Sequence, residues 1–79
     1  MIPTQIENPK GLHQKYIVSK VNGSPIDEDA EYFILRLDKN GEDPIHIEAC
    51  RQAVITYAIA IRSHLPKLSD DLFARYGSK

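Results

Sequence analysis

Three histidines and one cysteine are the groups with the most versatile chemistry near neutral pH. His13, His46 and His64 are candidate general bases or metal ligands, and Cys50 is the sole thiol. Their placement argues against both uses. His46 and His64 fall on one side of a predicted helix but eighteen positions apart, roughly 27 Å along its axis, so a single chain cannot bring both to one metal. An antiparallel dimer would bring them closer across its two-fold axis. Cys50 falls on the apolar stripe of the same helix, where a thiol acts as a small hydrophobe. The acidic run Asp27-Glu28-Asp29 with Glu31 lacks the ligand and glycine spacing of a calcium loop and reads as a solvated turn. No phosphate-binding glycine loop, nucleophile elbow or HExxH motif is present. These residues therefore predict a non-catalytic protein with no cofactor and no metal.

Recognition chemistry has better material. Tyr16 and Lys20, together with Tyr32 and Arg36, place rings beside cations on one face of a predicted hairpin, and Arg51 and Arg62 of the following helix extend the set across an interface. Rings stack on planar groups while guanidinium forks take phosphate oxygens bidentately, so the combination suits a small anionic ligand of the nucleotide type. The competing interpretation is a solvated sheet face whose long side chains extend into water.

The elements that would position these residues follow from periodicity. Residues 1–14 carry two prolines, one glycine and no repeat, and form an N-terminal arm preceding a single domain over 15–79. Alternation over 15–21 and 31–38 predicts two strands, the first followed by an Asn22-Gly23 turn. Asp43-Pro44 is an N-cap followed by proline at the first helical position, and it opens a helix expected over about 44–65. A core stripe of Ile47, Cys50, Val54, Tyr57, Ala58, Ile61 and Leu65 runs along it. A short helix follows over about 67–76, with Asp70 and Asp71 near its start, Arg75 near its end and Gly77 after it. The expected fold class is α+β, a hairpin packed on a long and a short helix.

Composition bounds what such a domain does. Ten Lys and Arg against eleven Asp and Glu give a formal net charge of −1, which disfavours duplex nucleic acid and anionic membrane as partners and weakens a single-stranded nucleic-acid reading. The opening Met1-Ile2-Pro3-Thr4-Gln5 lacks the basic and apolar regions of a secretory signal, and Ala53 to Ile61 is too short to span a bilayer. A cytoplasmic location is expected. A lone cysteine permits no intrachain disulfide, so a chain this small has partner subunits as its remaining stabilising aid. Both flanks of the long helix's stripe are also apolar, Ala49, Ala53, Thr56 and Ala60 on one side and Ile55 and Ile59 on the other. An unpaired hairpin and so broad an apolar helix predict a homo-oligomer, a dimer or higher.

The segments K-Y-I-V-S-K (15–20), D-A-E-Y-F-I-L-R-L-D (29–38), A-C-R-x-A (49–53) and the Tyr57-Ala58 pair resemble a group of small uncharacterised proteins from tailed phages and prophages. The resemblance covers about residues 15–76 and implies a host bacterial cytoplasm and an accessory binding role. In size and expected oligomerisation the chain is also similar to phage proteins that sequester cyclic nucleotides to counter host defence. The expectation is thus a homo-oligomeric sponge for a nucleotide-type signal bound by Tyr16, Lys20, Tyr32, Arg36, Arg51 and Arg62. The alternative is an interaction module that modulates a host protein through a sheet edge or the apolar helix flank.

Overall fold

The computed structural model describes residues 2–77, so Met1 of the predicted arm and Ser78 and Lys79 of the predicted domain lie outside the described residues. The chain divides into two compact units, Met1–Ile34 and Leu35–Lys79. Its regular elements are two helices, α1 over Pro44–Ile61 and α2 over Pro66–Tyr76.

Among the described residues there is no strand, so the expected α+β hairpin over 15–21 and 31–38 is not formed and the fold class is all-α. Both segments are irregular and carry no ladder. Ile17 is 96% exposed and Phe33 is 70% exposed, whereas Val18, Leu35 and Leu37 are half-buried. Alternation is a local property, but a ladder needs a partner at the right register, and an isolated two-stranded hairpin is marginal in water. The nine residues between the segments instead spend their polar groups on local turns. Gly23, at φ 78°, donates its N–H to the Lys20 carbonyl at 3.1 Å, and the Asn22 side chain accepts from Ser24 N–H at 2.9 Å. Asp27 accepts from Asp29 N–H at 3.0 Å through its carboxylate and from Ala30 N–H at 3.0 Å through its carbonyl. These are Asx-type turns, which compete with a hairpin for the same backbone.

In the first unit, residues 3–14 close on themselves. Gln14 N–H donates to the Pro3 carbonyl at 2.9 Å, and Thr4 and Glu7 exchange side-chain to backbone bonds at 2.9 and 3.3 Å. His13 Nδ1 lies 2.8 Å from the Asn8 carbonyl and 3.0 Å from that of Gly11. Carbonyl oxygens only accept, so Nδ1 carries the hydrogen.

In the second unit, α1 begins where the sequence predicts. Asp43 is in extended conformation and its carboxylate accepts from His46 N–H at 3.1 Å, with Pro44 at the first helical position, where a missing N–H costs nothing. The helix ends at Ile61, four residues short of the predicted end. Leu65 precedes Pro66, whose ring disfavours helical backbone at the residue before it, and Leu65 sits at φ −128°, ψ 72°. Pro66 itself opens α2, whose first backbone bond runs from Ser69 N–H to the Leu65 carbonyl at 3.0 Å.

The two helices form an αα-hairpin joined by residues 62–65 and packed on each other. Its core is small: Ile47, Cys50 and Ala58 are the buried apolar residues, joined by a fully buried Ser69. Val54 and Ile61 of the predicted stripe are half-buried, while Tyr57 and Leu65 are exposed, because the eleven residues of α2 cover only part of α1. At the N-terminal end of α1, the chain at Gly41 passes so close to Ile47 that a Cβ there would lie 2.9 Å from its Cδ1.

Candidate functional site

The predicted ligand set is divided between the two units. Tyr16, Lys20 and Tyr32 belong to Met1–Ile34 and are exposed, whereas Arg36, Arg51 and Arg62 belong to Leu35–Lys79. Without a sheet, the alternation that put Tyr16, Lys20, Tyr32 and Arg36 on one face no longer aligns them.

Each arginine meets a group of its own unit. Arg36 grips Asp38 with two bonds, Nε to Oδ1 at 2.7 Å and Nη2 to Oδ2 at 3.2 Å, and this guanidinium holds the Asp38 carboxyl below the usual aspartate value. Arg51 donates from Nη1 to the Leu37 carbonyl and places its guanidinium carbon 5.3 Å from the centre of the Tyr76 ring. Arg75 approaches the same ring at 5.9 Å. Arg62 lies over Phe73 at 5.2 Å. Arg51 and Arg62 are eleven residues apart on one side of the helix, about 16 Å along the axis. Their visible work is to fasten α2 and the segment before α1 to α1.

The remaining reactive groups stay dispersed. Cys50 is a buried free thiol with its Sγ 3.6 Å from His46 Nε2, the side chain one helical turn before it. Among the described residues no three or more His, Cys, Asp or Glu gather as a metal site.

The surface that stands out is the face of α1 turned away from α2. At 100° per residue, Ile45, Ala49, Gln52, Ala53, Thr56, Ile59 and Ala60 occupy one third of the circumference opposite the buried Ile47 and Ala58, and every one of them is exposed. None is charged. Ile45 is 83% exposed and Ile59 60% exposed. A helix that packs on one side of a soluble domain ordinarily carries charges on the other, whereas the charged Glu48 and Arg51 of α1 lie outside this third of its circumference. Its polar members bond along the helix, Thr56 Oγ1 donating to the Gln52 carbonyl at 3.1 Å and Gln52 Nε2 to Glu48 Oε1 at 3.3 Å, which brings the Glu48 carboxylate to the edge of the face.

Sequence reasoning recognised the alanine flank and the Ile55/Ile59 flank as separate features. It missed that Ile45, Ala49, Gln52, Thr56 and Ile59 recur at steps of four and three residues as one seam. That 3.5-residue repeat was readable, but it was hidden by the stronger stripe on the opposite side. Among the described residues no helix is long and apolar enough to cross a membrane. Compared with family models, curated proteins and solved structures, the chain finds no match among any of the three.

Proposed function

We propose that this chain is a non-catalytic interaction protein that works as a self-associated unit, with the outer face of α1 as its contact surface. The observation that carries this reading is the continuous uncharged face from Ile45 to Ala60 on a helix whose other side already packs on α2. The small buried core adds to it, since so little interior apolar surface gives a domain of this size limited stability on its own. A free thiol buried at Cys50 suits a reducing, cytoplasmic setting. A nucleotide-type ligand draws less support, because Arg36, Arg51 and Arg62 are already engaged with groups of their own unit.

Sedimentation velocity over a micromolar concentration series tests the reading. The unmodified chain is expected to sediment at twice the chain mass at the upper end of the series. Thr56→Glu, which sets a carboxylate in the middle of an exposed face, is expected to keep the helical circular dichroism and to sediment as a monomer. A monomer throughout, or a dimer that Thr56→Glu leaves intact, overturns it.

A further inference from the structure

We infer that Asn40-Gly41 is a site of spontaneous chemical modification, at which the side-chain amide closes onto the main chain and reopens as aspartate or isoaspartate, and that the isoaspartate form loosens the start of α1. The inference goes beyond the reading of α1 as a contact surface and does not depend on it.

The chain holds two Asn-Gly pairs, Asn22-Gly23 and Asn40-Gly41. Asparagine is thermolabile, and a following glycine, with no Cβ, leaves its own backbone nitrogen open to the asparagine side chain. In the reaction the glycine nitrogen gives its proton to water or hydroxide and attacks Cγ of the asparagine. A bond forms from that nitrogen to Cγ, the Cγ–Nδ2 bond breaks, and ammonia leaves with a proton taken from solvent. Water then opens the cyclic imide at one of its two carbonyls. Opening at Cγ restores the main chain and leaves an aspartate. Opening at the backbone carbonyl routes the main chain through Cβ and Cγ, one carbon longer, and leaves isoaspartate.

The two pairs differ in what holds the reacting atoms. Gly23 N–H donates to the Lys20 carbonyl at 3.1 Å, and Asn22 Oδ1 accepts from Ser24 N–H at 2.9 Å. A bonded N–H is harder to deprotonate and a bonded side chain is harder to rotate, so this turn resists ring closure. At Asn40-Gly41, among the described residues, neither the Gly41 N–H nor the Asn40 side chain has a hydrogen bond, and Asn40 is exposed. The bond that Asn40 does make, from its N–H to Asp38 Oδ2 at 3.3 Å, leaves both reacting groups unheld.

The consequences differ as well. A Cβ built on Gly23 would meet nothing within 4 Å, whereas one on Gly41 would lie 2.9 Å from Cδ1 of Ile47, which is 6% exposed. Two residues beyond Gly41, Asp43 caps α1 through His46 N–H. An extra main-chain carbon between residues 40 and 41 cannot be taken up toward Ile47, so it displaces the segment that leads into the cap. Aspartate at position 40 adds a charge but leaves the chain length unchanged.

The full chain is aged in mildly alkaline buffer and, in parallel, in concentrated urea, then digested with trypsin at mildly acidic pH, where ring closure is slow. Cleavage after Lys20, Arg36, Lys39 and Arg51 places Asn22 in peptide 21–36 and Asn40 in peptide 40–51. Chromatography with mass spectrometry then resolves the asparagine, aspartate and isoaspartate forms of each. Urea supplies the intrinsic ratio of the two rates. In buffer the ratio of Asn40 to Asn22 modification is expected to rise several-fold above its value in urea; a ratio that stays level or falls overturns the site assignment. The isoaspartate-enriched chain is expected to unfold at a lower urea midpoint than the fresh chain, with fresh Asn40→Asp close to the fresh chain and aged Asn40→Gln unchanged. An aged chain with the midpoint of the fresh one, or an Asn40→Gln chain that loses as much on ageing, overturns the link to α1.

Discussion

The Ser69 hydroxyl donates to the carbonyl oxygen of Ala58 at 2.7 Å, and both residues are fully buried. Ala58 lies in the last turn of α1, where four carbonyls lack an intrahelical donor. The amide that would ordinarily reach it, Arg62 N–H, bonds the Ile59 carbonyl at 3.5 Å instead. Ser69 therefore fills a vacancy at the helix end and pins α2 against α1 with the same bond. Ser69→Ala is expected to lower stability by about 1–3 kcal/mol, because the buried acceptor is left without a donor. Urea unfolding followed by circular dichroism checks this, with the midpoint falling and the slope unchanged. An unchanged midpoint would show that the contact contributes nothing net.

Arg51 ties three pieces of the second unit together. Its guanidinium donates to the Leu37 carbonyl, which precedes α1, and lies 5.3 Å from the ring of Tyr76, near the end of α2. Lysine keeps the charge but not the planar fork that serves both contacts. Arg51→Lys is accordingly expected to cost about 1 kcal/mol, and Arg51→Ala about 1–2 kcal/mol. Amide hydrogen exchange distinguishes this role from general destabilisation. The amides of 35–43 and of the last turn of α2 are expected to lose protection before those at the centre of α1. Uniform loss across the unit would contradict it.

How far the sequence revealed this structure differs between its two halves. Asp43-Pro44, Pro66 and Gly77 punctuate the helices through local chemistry, and local chemistry is what a sequence displays; α1 starts where that reading puts it, and α2 starts one residue earlier. The core stripe was legible in direction, since Ile47, Cys50 and Ala58 are buried, but not in extent, since exposure of Tyr57 and Leu65 depends on how much of α1 the short α2 reaches. The hairpin failed for the same reason in stronger form. Lys15 to Val21 and Glu31 to Asp38 alternate as strands do, yet pairing requires a non-local partner, and Asn22 and Asp27 commit the intervening backbone to turns. The alternation that placed Tyr16, Lys20, Tyr32 and Arg36 on one face depended on that pairing and loses its basis without it. Arg51 and Arg62 kept their predicted place on one side of α1, but in contact with Tyr76 and Phe73.

The Arg36–Asp38 pair yields a pH prediction with a defined sign. The hydrogen bonds from the Arg36 guanidinium, then its charge, then the Asn40 N–H hold the Asp38 carboxyl below its usual value of 3.8. The unfolded chain, lacking that geometry, keeps the usual value. Between the two values the unfolded state binds more protons, so the pair's contribution to stability is fully present above the usual aspartate range and is lost as pH falls through the depressed folded value. Both side chains are well exposed to solvent, so the contribution is small and weakens with salt. A carboxyl-carbon NMR titration reads the effect directly: Asp38 is expected to titrate below the other exposed aspartates at low ionic strength, and to move up toward them in Arg36→Gln. A midpoint that Arg36→Gln leaves in place would mean that the guanidinium does not set the carboxylate's affinity for its proton.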